Sequence, residues 1–280
     1  MLASCGERSV EQTTDERPLK VDSTRAGIVN VSGKLFSIPS PIQTALMIKE
    51  TNAEYAGELL SDPANANVHS GNAGRAMNLG VYGADMAYAS LYEDGQRALR
   101  YFKAIEDLAQ ELDITGAIDQ NLLKRLGANA GRPDSLLLLS GTFYEAADAY
   151  LKENERYELA ALVLLGGWIE STHLTAQIAQ TGNEKAKVRL AEQKQTLNTL
   201  KEILGEMPEN TIGNSGINKG LQALSKSYEE VTKTYTYVEP ETDPDRKITF
   251  IKSKTTFEIS DSTIVDIARH LEELRKEITR

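Results

Sequence analysis

Three stretches of the chain carry polar residues whose spacing could support chemistry. In Gly166-Gly167-Trp168-Ile169-Glu170-Ser171-Thr172-His173, a carboxylate and an imidazole lie three residues apart. On a helix that spacing puts Glu170 and His173 on one face, as half of a carboxylate-bridged di-metal site requires. A complete site needs a second Glu-x-x-His and two further inward glutamates. His69 and His270 follow Ala66 and Ile267 at that spacing, so neither supplies the second copy. The residues therefore favour core packing over metal chemistry, and the di-metal reading stands as the alternative.

A second constellation suits binding. Tyr82, Asp85 and Tyr88 share one stretch, Tyr144, Glu145, Asp148 and Tyr150 another, and Trp168 joins them from the third. Tyr82, Tyr88 and Trp168 could line a groove between helices, with Asp85 and Glu145 orienting a polar or cationic ligand. The competing demand is again packing, with tyrosine rings capping a core and their hydroxyls in water. Tyr82–Tyr88 and Tyr144–Tyr150 look alike (YGADMAY and YEAADAY) but lie 62 residues apart without a third copy, so they are no repeat array. There is no phosphate-binding glycine loop, dinucleotide fingerprint, nucleophile elbow or zinc-type cysteine pattern. The residues thus assign no catalytic group and call for no cofactor; iron or zinc belongs only to the alternative.

These groups need helices to position them, and the helical signals are strong. Ser40-Pro41-Ile42-Gln43 reads as a cap, a first-turn proline and a capping-box glutamine. Apolar periodicity then predicts a first helix running through Ala53 and Leu60 towards Asp62-Pro63. Further helices are predicted over 73–93, 96–112, 119–126, 133–150, 157–180, 184–204 and 215–235. Thr181-Gly182-Asn183-Glu184 reads as a capping box for the seventh. The 157–180 stretch is the most apolar, hence the central helix. The helices over 184–204 and 215–235 should form an antiparallel pair. Glycines around Gly83 and Gly166 suggest close helix crossing at the centre. Past the acidic, proline-rich loop at 238–245, residues 247–252 and 255–259 read as a hairpin turning at Ser253-Lys254. Ser260 or Asp261 then caps a closing helix with an apolar stripe through Ile264, Ile267, Leu271, Leu274 and Ile278. The expected fold is mostly α: a multi-helix bundle with a short C-terminal β-hairpin and a closing helix. Its expected divisions are a tether over 1–36, the bundle over 37–238, and the hairpin with its helix over 239–280.

Composition bounds the rest. The 280 residues carry 41 acidic against 31 basic side chains, a net charge of −10 that disfavours nucleic acid as a partner. The apolar runs 136–139 and 159–165 are far short of a membrane span.

The single cysteine, Cys5, sits in Leu2-Ala3-Ser4-Cys5-Gly6, which resembles the lipobox of bacterial lipoproteins. In that family a signal peptide is cut before the cysteine and the thiol is lipidated. Only four residues precede Cys5, so the basic and apolar parts of such a signal are missing. The polar run ERSVEQTTDERPLK over 7–20 suits a flexible tether. The stretch from Ile38 to Gln177, with IPSPIQTALMIKE, NLGVYGADMAYASLY and LLGGWIESTHL, is similar to uncharacterised helical lipoproteins of Gram-negative bacteria. That resemblance implies a cell-envelope protein anchored through Cys5, in the outer membrane and facing the periplasm, with a cytoplasmic protein as the alternative. The family brings no activity with it, so the expectation is a ligand-binding or scaffolding module with a possible envelope protein as partner. The alternative reading of Glu170 and His173 resembles half of a ferritin-like di-metal enzyme.

Overall fold

The computed structural model describes residues 27–31, 34–38, 41–68, 71–117, 133–208, 211–212, 215–244 and 246–279. Cys5, most of the expected tether, the Ser40 cap and the helix expected over 119–126 lie outside those residues. Eight helices are described: α1 (Pro41–Glu50), α2 (Asn72–Leu91), α3 (Gly95–Glu111), α4 (Pro133–Glu153), α5 (Tyr157–Gln180), α6 (Glu184–Gly205), α7 (Ser215–Glu229) and α8 (Asp261–Thr279). Side-chain caps fix three of their starts. Asp94 accepts the Arg97 N–H at 3.0 Å, Asn183 the Ala186 N–H at 3.0 Å, and Ser260 the Thr263 N–H at 3.1 Å. The cap of α6 is therefore Asn183. Thr181 instead closes α5, its hydroxyl donating to the Ile178 carbonyl, and Gly182 at φ +86° turns the chain.

Two helices are shorter than their periodicity predicts. Helix α1 ends at Glu50, because the Thr51 hydroxyl takes the Ile48 carbonyl at 2.6 Å and Asn52 adopts a left-handed φ of 58°. Ala53 and Leu60 consequently lie on an irregular segment with 3-10 turns at Gly57–Leu59 and Pro63–Val68. Helix α7 stops at Glu229, since Thr232-Lys233-Thr234-Tyr235-Thr236 alternates β-branched residues and forms a strand.

The centre is the crossing of α2 and α5, with α3 and α4 against α2, and α6 and α8 against α5. Small residues allow it. A Cβ on Gly80 would overlap the Val163 carbonyl, and one on Gly166 would overlap the Met77 carbonyl. The close approach expected around Gly83 and Gly166 is thus made by Gly80 and Gly166. Helix α5 is long and apolar enough to cross a membrane, yet its most apolar window is 94% buried within the bundle. Helices α6 and α7 run antiparallel as expected, joined by Tyr228 to the Leu190 carbonyl (3.0 Å) and Lys201 to Ser225 (2.7 Å). Helix α8 packs on α5 and α7, so the closing helix is part of the bundle.

Strands β1 (Gly27–Val31) and β2 (Lys34–Ile38) form an antiparallel hairpin whose backbone lies by α5 and α6. The C-terminal strands form a longer ribbon than the expected hairpin. At its base β3 (Thr232–Thr236) pairs with β6 (Lys254–Glu258), and towards its tip β4 (Glu241–Asp243) pairs with β5 (Ile248–Phe250). The chain reverses between the paired residues Asp243 and Ile248, with Pro244 and Lys247 (φ 53°) breaking the strands. Ser253 is not a turn residue. Its hydroxyl accepts the Val238 N–H and donates to the Val238 carbonyl, linking base to tip.

Candidate functional site

The candidate binding residues do not share one pocket. Tyr82, Asp85, Tyr88 and Trp168 are sealed, at 0–2% exposure, whereas Glu145 is exposed on α4. Trp168 donates its indole N–H to Gln193 at 2.9 Å. The tyrosines do line a groove, and the segment between α1 and α2 fills it. Tyr88 accepts the Ala56 N–H at 3.2 Å, Tyr92 donates to the Ala53 carbonyl at 2.8 Å, and Tyr101 to the Ser61 carbonyl at 2.5 Å. Tyr55 from that segment stacks on Tyr92 at 5.4 Å and donates to Asp94 at 2.9 Å. The ligand of this aromatic groove is the protein's own backbone.

Beneath the strap lies the most unusual chemistry of the fold. Asp85 from α2 and Glu170 from α5 are both completely buried. Arg275 from α8 donates through Nε to Glu170 Oε2 at 2.6 Å. Its terminal nitrogen also reaches the Leu59 carbonyl at 2.7 Å and the Ser61 hydroxyl at 3.0 Å. The Ser61 N–H in turn donates to Asp85 Oδ2 at 3.0 Å. One guanidinium therefore serves two buried carboxyl groups. An unneutralised buried charge costs several kcal/mol, so one of the two must be neutral. Burial, followed by repulsion from Glu170, pushes the Asp85 carboxyl well above the usual range, outweighing Arg275 and the Ser61 N–H. Asp85 is therefore the carboxyl pushed towards its protonated form, while Arg275 pairs with Glu170. Asp85 Oδ1 and Glu170 Oε1 are buried and have no hydrogen-bond partner among the described residues.

His173 lies one turn further along α5, at 2% exposure, with Nε2 3.5 Å from Glu272 Oε2. Burial lowers its pKa, so the ring is neutral at pH 7 and this contact is not an ion pair. Lys276, at 2.9 Å, is the partner that neutralises Glu272. Glu170 and His173 thus share a helix face, but their face meets α8, not a second Glu-x-x-His. Among the described residues no three His, Cys, Asp or Glu side chains gather to hold a metal.

Sequence reasoning missed Arg275, Ser61, Tyr101 and Glu272. Arg275 had a signal, being a cation on the apolar stripe of α8 between Leu271 and Ile278, a position that requires a buried anion. Tyr101 and Ser61 had none, because their roles depend on where the strap lies.

Elsewhere, an open surface groove of about 670 Å³ runs between the end of α1 and the start of α6. It is lined by Met47, Val188 and charged residues including Glu50, Lys185 and Arg189, and by none of the candidate residues. Large apolar side chains are exposed mainly in one place. Of the eight so exposed among the described residues, six lie in the ribbon: Tyr235, Tyr237, Val238, Ile248, Phe250 and Ile251, the last at 78%. Comparison with protein-family models, with curated proteins and with solved structures finds no match to this chain.

Proposed function

We propose that this protein is a lipid-anchored envelope scaffold whose helical bundle presents the β-ribbon as its contact surface. The observation that carries the reading is the contrast between a sealed interior and an exposed apolar ribbon. Apart from the exposed Glu145, the pocket candidates are buried, so a small ligand has no route to them without local opening. The ribbon has two strands, every described residue of β3 and β5 is exposed, and two-stranded ribbons are marginal alone in water. Clustered exposed aromatics of this kind mark interaction sites. The anchor rests on the lipobox-like Leu2-Ala3-Ser4-Cys5 and on the resemblance to helical envelope lipoproteins.

A photo-crosslinking residue placed at Ile251 in the native host tests the contact. Discrete protein adducts are expected there and not from the exposed Val265 on α8. Equal yields at both sites would remove the ribbon's special role. The anchor is tested by mass spectrometry of the native N-terminus, where diacylglycerol on Cys5 is expected and an unmodified Met1 would refute it.

A further inference from the structure

The ribbon is electrically distinct from the rest of the chain. Residues 232–258 carry five basic and five acidic side chains, within a protein of net charge −10. Two copies approaching through their bodies repel, while two ribbons do not. Strand β6 reads Lys254-Thr255-Thr256-Phe257-Glu258 and pairs with β3 on one side, with no third strand beside it among the described residues. The strand approaches α6, with Phe257 packed against the core, and no strand among the described residues takes up its second edge.

The order of residues on that edge is complementary to itself. With two copies of β6 antiparallel about a two-fold axis at Thr256, Lys254 of each copy falls opposite Glu258 of the other. Thr255 falls opposite Phe257, and Thr256 meets its own equivalent. All these residues are exposed except Phe257, which is half-buried. Opposite charges and aromatic–β-branched pairs directly across strands are favourable contacts.

We propose that β6 pairs with β6 of a second copy of this chain, building a four-stranded sheet in the order β3-β6-β6-β3 across a two-fold axis. The inference rests on the reading of the ribbon as the contact surface. It takes the ribbon from two strands to four, above the number at which a sheet becomes stable. It also closes as a symmetric dimer, because the same patch is used on both copies.

The test is sedimentation equilibrium of the full chain at physiological salt over a wide range of protein concentration. Wild type is expected to pass from monomer to dimer. K254E and E258K, each placing like charges opposite one another, are expected to weaken the dimer at least tenfold with unchanged thermal midpoints. An equimolar mixture of the two variants restores opposite charges at every pair and should dimerise as wild type does. A wild type that stays monomeric, or single variants that dimerise undiminished, would overturn the proposal. If wild type is monomeric while Ile251 crosslinks to a different protein, the second copy is wrong and the ribbon surface stands. If wild type is monomeric and the ribbon crosslinks to nothing, both fail.

Discussion

Arg275 reaches back 105 residues to place its Nε 2.6 Å from the fully buried carboxylate of Glu170, tying the closing helix to the central one. Removing either partner leaves a buried charge without its counter-ion. Arg275→Met and Glu170→Gln should each lower stability by about 3–5 kcal/mol in urea titrations. The double variant should cost clearly less than the sum, since neither orphaned charge remains.

Asp85 makes the opposite prediction. An amide at this position can still accept the Ser61 N–H, and like a protonated acid it is neutral and carries a donor. Asp85→Asn should therefore stay within about 1 kcal/mol of wild type at pH 6, where a disruptive core substitution would cost far more. The pH dependence separates the two proteins. The folded-state pKa of Asp85 is raised, so its share of stability is full below the ordinary carboxyl pKa of about 4 and is lost as pH rises towards the folded value. Urea midpoints measured from pH 5 to 9 should fall more steeply for wild type than for Asp85→Asn. Parallel profiles would mean that Asp85 is already ionised in the fold.

His173 supplies an acid limb. Its pKa is lowered by burial, with Glu170 and Glu272 pulling it up and Arg275 and Lys276 opposing them. Stability held above the ordinary histidine value of about 6.5 is lost as pH falls towards the depressed one. His173→Gln should flatten the decline in urea midpoint between pH 7 and pH 5. The thermal midpoint at pH 8 should move less than the slope does.

Much of this was legible before the fold. Helix α5 begins and ends where its apolar pattern does, because a fully buried helix carries a continuous apolar signal between polar ends. Glu170, His173 and Asp85 were visible as polar residues inside apolar helices. Their partners were less so, since Ser61 and Arg275 are joined to Asp85 and Glu170 only through tertiary contacts over 24 and 105 residues. The ribbon's register was misread because local alternation cannot tell which of several short β-branched runs will pair. The run over 232–236 was absorbed into the preceding helix, leaving Thr255–Ile259 without its true partner.

The α2–α5 crossing offers a test of packing. Gly80→Ala and Gly166→Ala each direct a methyl group at backbone that no rotamer change can move. Both should destabilise by about 3 kcal/mol, despite the roughly 1 kcal/mol that helix propensity returns. Gly205, at the end of α6 with open space around its Cα, is the control. Gly205→Ala should be neutral or stabilising by up to about 1 kcal/mol on the same urea titrations.

The measurement that bears most directly on the scaffold reading replaces residues 237–253 with Asn-Gly, a two-residue turn that can join Thr236 to Lys254 as a tight hairpin. The thermal midpoint and the crosslinking pattern from a probe at Tyr235 are then read together in the native host. If the bundle is a self-sufficient scaffold and the ribbon its contact arm, the midpoint should shift by only a few degrees while the adducts seen with the full ribbon are lost. A collapsed midpoint would make the ribbon a structural part of the bundle and contradict the account, and adducts that persist unchanged would place the contact on the retained β3–β6 base and not on the tip.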